Sequence, residues 1–234
     1  MFKKLSIAAA GATIATLTAI SDASAIVNGS FENGFTGWIT EDLSDPFFPL
    51  TVGGAGVSPG LGLFTSAPTD GSLAALHGFD GNGPGTISIA QDVFISSSDT
   101  ELSFDFRGAW NYNLGNPATT SRVFDVNIEE VGGGSTLLST NFLMANPGEF
   151  LSDTGNLTGS LDLSAFANSS VRINFDWFIP ENFTGPAFFQ LDNVQLTQRS
   201  PDTQGVPEPA SILGLLALGT LGATSLKRKQ EEEM

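Results

Sequence analysis

Through the middle of the chain, apolar and polar positions alternate with a period of two. Residues 86–93 put Ile87, Ile89, Gln91 and Val93 on one side. Residues 101–107 set Leu102, Phe104 and Phe106 against Ser103, Asp105 and Arg107. Residues 122–131 set Phe124, Val126 and Ile128 against Asp125, Asn127 and Glu129, and residues 171–177 set Val171, Ile173, Phe175 and Trp177 against Arg172, Asn174 and Asp176. Successive side chains of a strand point to opposite faces, so this pattern predicts antiparallel sheets with one buried and one wet face. Residues 72–79 read as a further strand, and Gly132-Gly133-Gly134 as a hairpin turn before a strand over 136–141. The last strand, 188–196, does not alternate cleanly, because Leu191 and Val194 are an odd distance apart. Either the strand is bulged, or Asp192 is turned inward for a purpose. Residues 28–38 mix turn formers with large apolar side chains, as in short strands joined tightly. Asp45-Pro46-Phe47-Phe48-Pro49 is expected to break any regular element, and residues 161–166 to make one helical turn capped by Asp162 or Ser164. Many short strands between Gly and Pro turns make residues 26–199 an all-β antiparallel sandwich of the jelly-roll kind.

Both ends depart from this pattern. Lys3-Lys4, an apolar run to Ile20 and Ala23-Ser24-Ala25 make residues 1–25 a secretory signal peptide. Residues 200–209 are a polar linker ending in Pro207-Glu208-Pro209. Residues 210–226 carry no charge, and Lys227-Arg228-Lys229 opens a charged tail over 227–234. As a helix the apolar run rises roughly 25 Å against a hydrocarbon core of about 30 Å, a slightly short transmembrane span. The positive-inside rule keeps both basic ends in the cytoplasm and puts the acidic middle outside. The order of Pro-Glu-Pro, apolar helix and basic cluster resembles the PEP-CTERM sorting signal, over residues 206–229. That resemblance implies processing by an exosortase and export to the cell envelope or exopolysaccharide matrix. Read without it, the segment is an ordinary tail anchor.

Charge and composition narrow the function. The 234 residues carry a net charge of −16 and no cysteine. Every lysine lies in the end segments, so the middle has only Arg107, Arg122, Arg172 and Arg199 as bases. Such a surface repels nucleic acid and anionic headgroups and favours cations, or serves solubility alone. A zinc site needs more His or Cys than the chain has, and His77, the lone histidine, reads as structural. There is no serine elbow, and the glycine runs lack the Lys-Ser or Lys-Thr of a phosphate loop. Carboxylate pairs such as Asp105 with Asp125 read as solvated strand faces, so no catalytic residue is assigned, with a matrix polysaccharide hydrolase as the alternative. Trp110, Asn111 and Tyr112 fall in a loop expected after the 102–106 strand. There they form either a platform for a sugar ring or, for Trp110, a plug over the core. Trp38 and Trp177 sit in apolar register and read as core.

A second resemblance rests on the two ends of the middle domain. Asn28-Gly29-Ser30-Phe31-Glu32 with Gly37-Trp38, and Leu191-Asp192-Asn193-Val194, resemble galactose-binding-like jelly rolls, a form many carbohydrate-binding modules share. The resemblance implies a structural calcium ion (Ca2+) joining first and last strands, with Glu32 and Asp192 as ligands and carbonyls near Asn28 assisting. Read alone, Glu32 and Asp192 are surface groups beside turns. The expected protein is exported, all-β and structural or carbohydrate-binding. Its expected partners are an exosortase, extracellular polysaccharide and, through the C-terminal helix, the membrane.

Overall fold

The computed structural model describes residues 26–46, 48–58, 62–78, 83–151 and 153–198. The signal peptide over 1–25, Pro207-Glu208-Pro209, the apolar run over 210–226 and the charged tail lie outside these. Among the described residues no helix is long and apolar enough to cross a membrane.

Among the described residues eleven strands build two antiparallel sheets. In chain order they are β1 (Ile39–Glu41), β2 (Phe48–Gly54), β3 (Leu73–Gly78), β4 (Gly85–Ile95), β5 (Glu101–Asn111), β6 (Arg122–Glu129), β7 (Thr136–Ala145), β8 (Phe150–Leu151), β9 (Leu157–Asp162), β10 (Ser169–Ile179) and β11 (Ala187–Thr197). Sheet one has the order β1-β4-β10-β6-β7. Sheet two runs β2-β3-β11-β5-β8, with β9 also on β5. The alternation read from the sequence is the alternation observed. Ile87, Ile89, Phe124, Val126, Val171, Phe175 and Trp177 from sheet one meet Leu102, Phe104, Phe106, Phe189 and Leu191 from sheet two in one buried core. Aromatic rings fill its centre, Phe124 and Phe189 lying 4.3 Å apart between centroids. A 3-10 turn, Ser164–Phe166, stands where a helical turn was expected, with the Asp162 carboxylate accepting from the Ser164 N–H at 2.8 Å.

Three departures have local causes. Residues 28–37 form consecutive tight turns rather than short strands, because Asn28, Phe31, Gly34 and Gly37 adopt positive φ. That knot is held by Trp38, whose Nε1 donates to the Asn28 carbonyl at 2.9 Å and whose ring stacks on Phe31. The proline-flanked stretch does not stay irregular: β2 begins at Phe48 and contains Pro49. It can do so because β2 is an edge strand whose register shifts between Phe48 and Thr51, where a missing N–H costs no ladder bond. Finally, β5 does not stop near Arg107 but runs on to Asn111.

Candidate functional site

The outer faces of the two sheets differ. On sheet two the outward side chains Leu76, Ala109 and Phe188 are buried by a strap, residues 62–72, which brings Phe64 down onto Phe188. Polar side chains of the last strand fasten it. Gln190 accepts from the Ala67 N–H at 2.9 Å and donates to the Ala67 carbonyl at 3.0 Å. Asp192 Oδ2 accepts from the Thr69 N–H at 2.6 Å, the Asp70 N–H at 3.1 Å and the Thr69 hydroxyl at 3.3 Å, while Oδ1 accepts from the Asn193 N–H at 2.8 Å. Glu32, from the N-terminal turns, completes the fastening: its Oε1 accepts from the Ser72 and Leu73 N–H groups, both at 2.6 Å.

Of the two alternatives for the last strand the bulge is the one observed, and Asp192 points not inward to the core but to the outer face of sheet two, on the side of Phe188 and Gln190. β11 is bulged between Asp192 and Gln195, Asn193 has φ 51°, and Asp192 is wholly buried under the strap. Burial pushes its carboxyl above the usual range, against the pull of the Asp70, Thr69 and Asn193 amides. Calcium takes six to eight oxygen ligands. A carboxylate offers about four lone-pair positions, and Asp192 already accepts four hydrogen bonds. An ion on Oδ2 would have to displace a strap donor, whereas Oδ1, which accepts only from the Asn193 N–H, keeps a position. Among the described residues nothing donates to Glu32 Oε2, and no three of His, Cys, Asp and Glu converge.

Sheet one keeps its outer face open, and strand register assembles polar rows across it. Glu41, Ser88, Asp176, Asp125 and Asn141 stand side by side on five successive strands. The next row holds Ile39, Ala90, Asn174, Asn127 and Ser139, and the one beyond it Asp92, Arg172, Glu129 and Thr136. Exposed apolar side chains border the rows, Phe178 (40% exposed) and Met144 on one side and Phe94 on the other.

The amides of this face spend their donors on its own carboxylates. Asn127 Nδ2 donates to Asp176 Oδ2 at 2.7 Å, Asn174 Nδ2 to Glu129 at 3.2 Å and to Asp176 at 3.3 Å, and Asn141 Nδ2 to Asp125 at 2.8 Å. Arg172 is engaged by Asp92 through two bonds, at 2.7 and 3.1 Å. Asn174 Oδ1 and Asp176 Oδ1 find no donor among the described residues. Burial pushes the Asp176 carboxyl up to about 6, the neighbouring charges of Glu129, Asp125 and Glu41 adding to it and the Asn127 bond opposing.

The sign of that shift gives a test. An Asp whose folded pKa lies above its unfolded value is penalised while charged, and the penalty is relieved as pH falls through about 6. Asp176→Asn keeps an acceptor for Asn127 and removes the charge. It is expected to raise Tm at pH 8 and to raise it much less at pH 4, in thermal melts of both proteins.

The sugar platform expected around Trp110 does not stand in a loop. Trp110 and Asn111 end strand β5, and Trp110 and Tyr112 are each only 5% exposed. The Trp110 ring belongs to the core, which is the plug reading. The Tyr112 hydroxyl donates to the Ala145 carbonyl at 3.2 Å and accepts from the Arg122 N–H at 3.1 Å. Asn111 Oδ1 accepts from the Asn113 N–H at 2.9 Å. Asp105 and Asp125 are not brought together: Asp105 faces outward from sheet two, bonded by Thr158 and Asn193, and Asp125 outward from sheet one.

Residues 205–229 match the PEP-CTERM protein-sorting motif, so the chain carries a signal for export and membrane sorting. No curated protein matches the chain. Among solved structures it is similar to TmCBM61 in complex with β-1,4-galactotriose, at 13% identity over 74% of this chain and 97% of that chain, with a TM-score of 0.45. It is similar also to the K1 cleaved adhesin domain of Lys-gingipain from Porphyromonas gingivalis W83 (16% identity, 73% and 96% covered, TM-score 0.46). A third is the CBM22-2 xylan-binding domain of Paenibacillus barcinonensis Xyn10C (14% identity, 73% and 98% covered, TM-score 0.39).

Proposed function

We propose that this PEP-CTERM-bearing chain is an exosortase substrate that works in the cell envelope or the exopolysaccharide matrix, and that the outer face of sheet one binds polysaccharide there. The observation that carries this reading is the row from Glu41 to Asn141, exposed at its two ends, half-buried between them and bordered by Phe178, while on the other sheet a strap covers Leu76, Ala109 and Phe188. Phe178 offers an apolar surface for a sugar ring, and the polar rows offer acceptors for its hydroxyl groups. Because its amides are engaged with its own carboxylates, the face offers acceptors in excess of donors and favours a ligand that brings donors of its own. Neutral or amine-bearing polymers satisfy that demand, whereas a uronate polymer adds carboxylates to a face that is already acidic.

Binding of the protein to a neutral β-glucan, partially deacetylated chitin and alginate tests this. The neutral or amine-bearing polymer should be retained and alginate not. Phe178→Ala should weaken binding by about tenfold while changing stability by under about 0.5 kcal/mol. Unchanged affinity in that variant removes sheet one as the site.

Sorting has its own test. Replacing Pro207, Glu208 and Pro209 together by alanine should leave unprocessed protein, its mass increased by the retained C-terminal segment, in the membrane fraction. A variant whose mass and location match the wild type would reduce the segment to a tail anchor.

The calcium ion implied by the end motifs would find open positions at Glu32 Oε2 and Asp192 Oδ1. A fall of Tm in EDTA that Glu32→Gln abolishes supports the ion. An unchanged Tm leaves Glu32 and Asp192 as hydrogen-bond acceptors alone.

A hydrolase is the second reading, favoured by one observation: Asp176, raised to about 6, stands directly across from Asp125. A proton-donating carboxyl beside a second carboxylate is what glycoside hydrolysis uses. Release of reducing ends from a bound polymer, lost in Asp176→Asn, distinguishes it from binding alone.

A further inference from the structure

At the centre of the core, between the sheets, lies a polar pair that the proposed binding face does not use. His77 on β3 points inward and is 3% exposed. Its ring stacks on Phe189 at 5.3 Å between centroids and stands 6.0 Å from Trp177, tilted by 46°. Among the described residues neither imidazole nitrogen has a hydrogen-bond partner, and neither has Trp177 Nε1. Buried polar atoms are rarely left this way. Beside them is a small cavity lined by His77, Trp177, Phe189, Phe124 and Phe175 together with Ile87 and Ile89. About 10 Å³ of it is open to the centre of a water molecule, roughly the minimum that one water needs.

We propose that this cavity is a binding site for a single internal water, which accepts from the Trp177 indole N–H and donates to the unprotonated nitrogen of His77. An indole can only donate, and a neutral imidazole has one nitrogen that can only accept. The two are chemically complementary, yet they make no direct bond; one water supplies an acceptor to the first and a donor to the second. His77 keeps that accepting nitrogen at neutral pH, since burial, with the Arg122 charge adding to it, lowers its pKa to about 3. The remaining walls are hydrocarbon, so the water has no competing partner among them. The site also accounts for a histidine and a tryptophan at core positions where Phe or Leu would fill the same apolar layer.

Nuclear magnetic resonance of the intact protein tests the site. The Trp177 Hε1 proton should show a nuclear Overhauser effect to water with the sign of a long-lived contact, and the His77 nitrogens should show one fixed neutral tautomer. No lining residue carries a hydroxyl proton that could imitate the signal. His77→Phe should abolish the water contact at Trp177. Trp177→Phe should shift the bare His77 nitrogen and serves equally if the first variant does not fold. A wild-type Trp177 Hε1 with no water contact overturns the proposal. So does a contact that survives in His77→Phe, because the water would then not be a bridge.

Discussion

Trp110→Ala is expected to destabilise the protein by about 3–5 kcal/mol, the cost of removing a large aromatic side chain from a packed core. The residue is 5% exposed and belongs to the main cluster that joins the two sheets. Its strand pairs there with β11 on one side and β8 on the other, Trp110 standing opposite Ala187 and Leu151. Collapse around the hole is therefore limited by backbone that is fixed on both sides. For a domain of this size the loss corresponds to a fall in Tm on the order of 10 °C. Because the proposed binding face lies on the other sheet, the variant should keep its affinity for polysaccharide at temperatures where it is folded. Denaturant melts combined with polymer retention check both statements. A stability change under about 0.5 kcal/mol together with lost binding would return Trp110 to the role of an exposed platform.

Asp192→Ala is the second large effect. It deprives the Thr69 and Asp70 amides of their acceptor beneath the strap. Hydrogen bonds to a charged group contribute about 1.5–3 kcal/mol each, and those sharing one carboxylate are not additive, so a loss of about 2–4 kcal/mol is expected. Asp192→Asn retains one accepting oxygen and should recover part of it. The strap should also become the first segment cut in limited proteolysis, since its Gln190 fastening alone would remain on β11. Melts and cleavage mapping on the three proteins measure this. A strap as resistant in Asp192→Ala as in the wild type would show that Gln190 and Glu32 suffice.

The strands were legible because burial imposes a period of two wherever one face is wet, and β6 and β10 follow it throughout, β4 and β5 everywhere but at the buried outward alanines Ala90 and Ala109. What failed did so for physical reasons. The loop expected after the 102–106 strand is instead strand through Asn111. Gly108 lies within that strand, where a Cβ would lie 2.6 Å from Leu143 Cδ2, so its glycine marks close packing and not a strand end. The 28–37 knot was misread because positive φ at Asn28 and Phe31 leaves no mark on hydrophobic patterning. Asp192 stood out in the sequence through its broken alternation. Its partners could not be named, since Thr69 and Asp70 lie more than a hundred residues away along the chain. The polar rows were half visible. Asp125, Asn127, Asn174 and Asp176 were each read as outward, but only the register of β10 against β6 puts Asp176 opposite Asp125. Phe178, outward on the same strand, gave no signal beyond being an exposed aromatic.

The place of β11 in its sheet has a mechanical consequence. The strand lies between β3 and β5 and is the last element before Gln198, so a pull on the chain beyond Thr197 enters the sandwich through an interior strand. Ladder bonds between antiparallel strands run perpendicular to the strand axis. Tension along β11 therefore loads the bonds to β5, over Ala187–Asp192 and again over Gln195–Thr197 beyond the bulge, together in shear instead of opening them one after another. A domain held at its C-terminal end in a flowing or swelling matrix would yield only when that whole seam gave way at once.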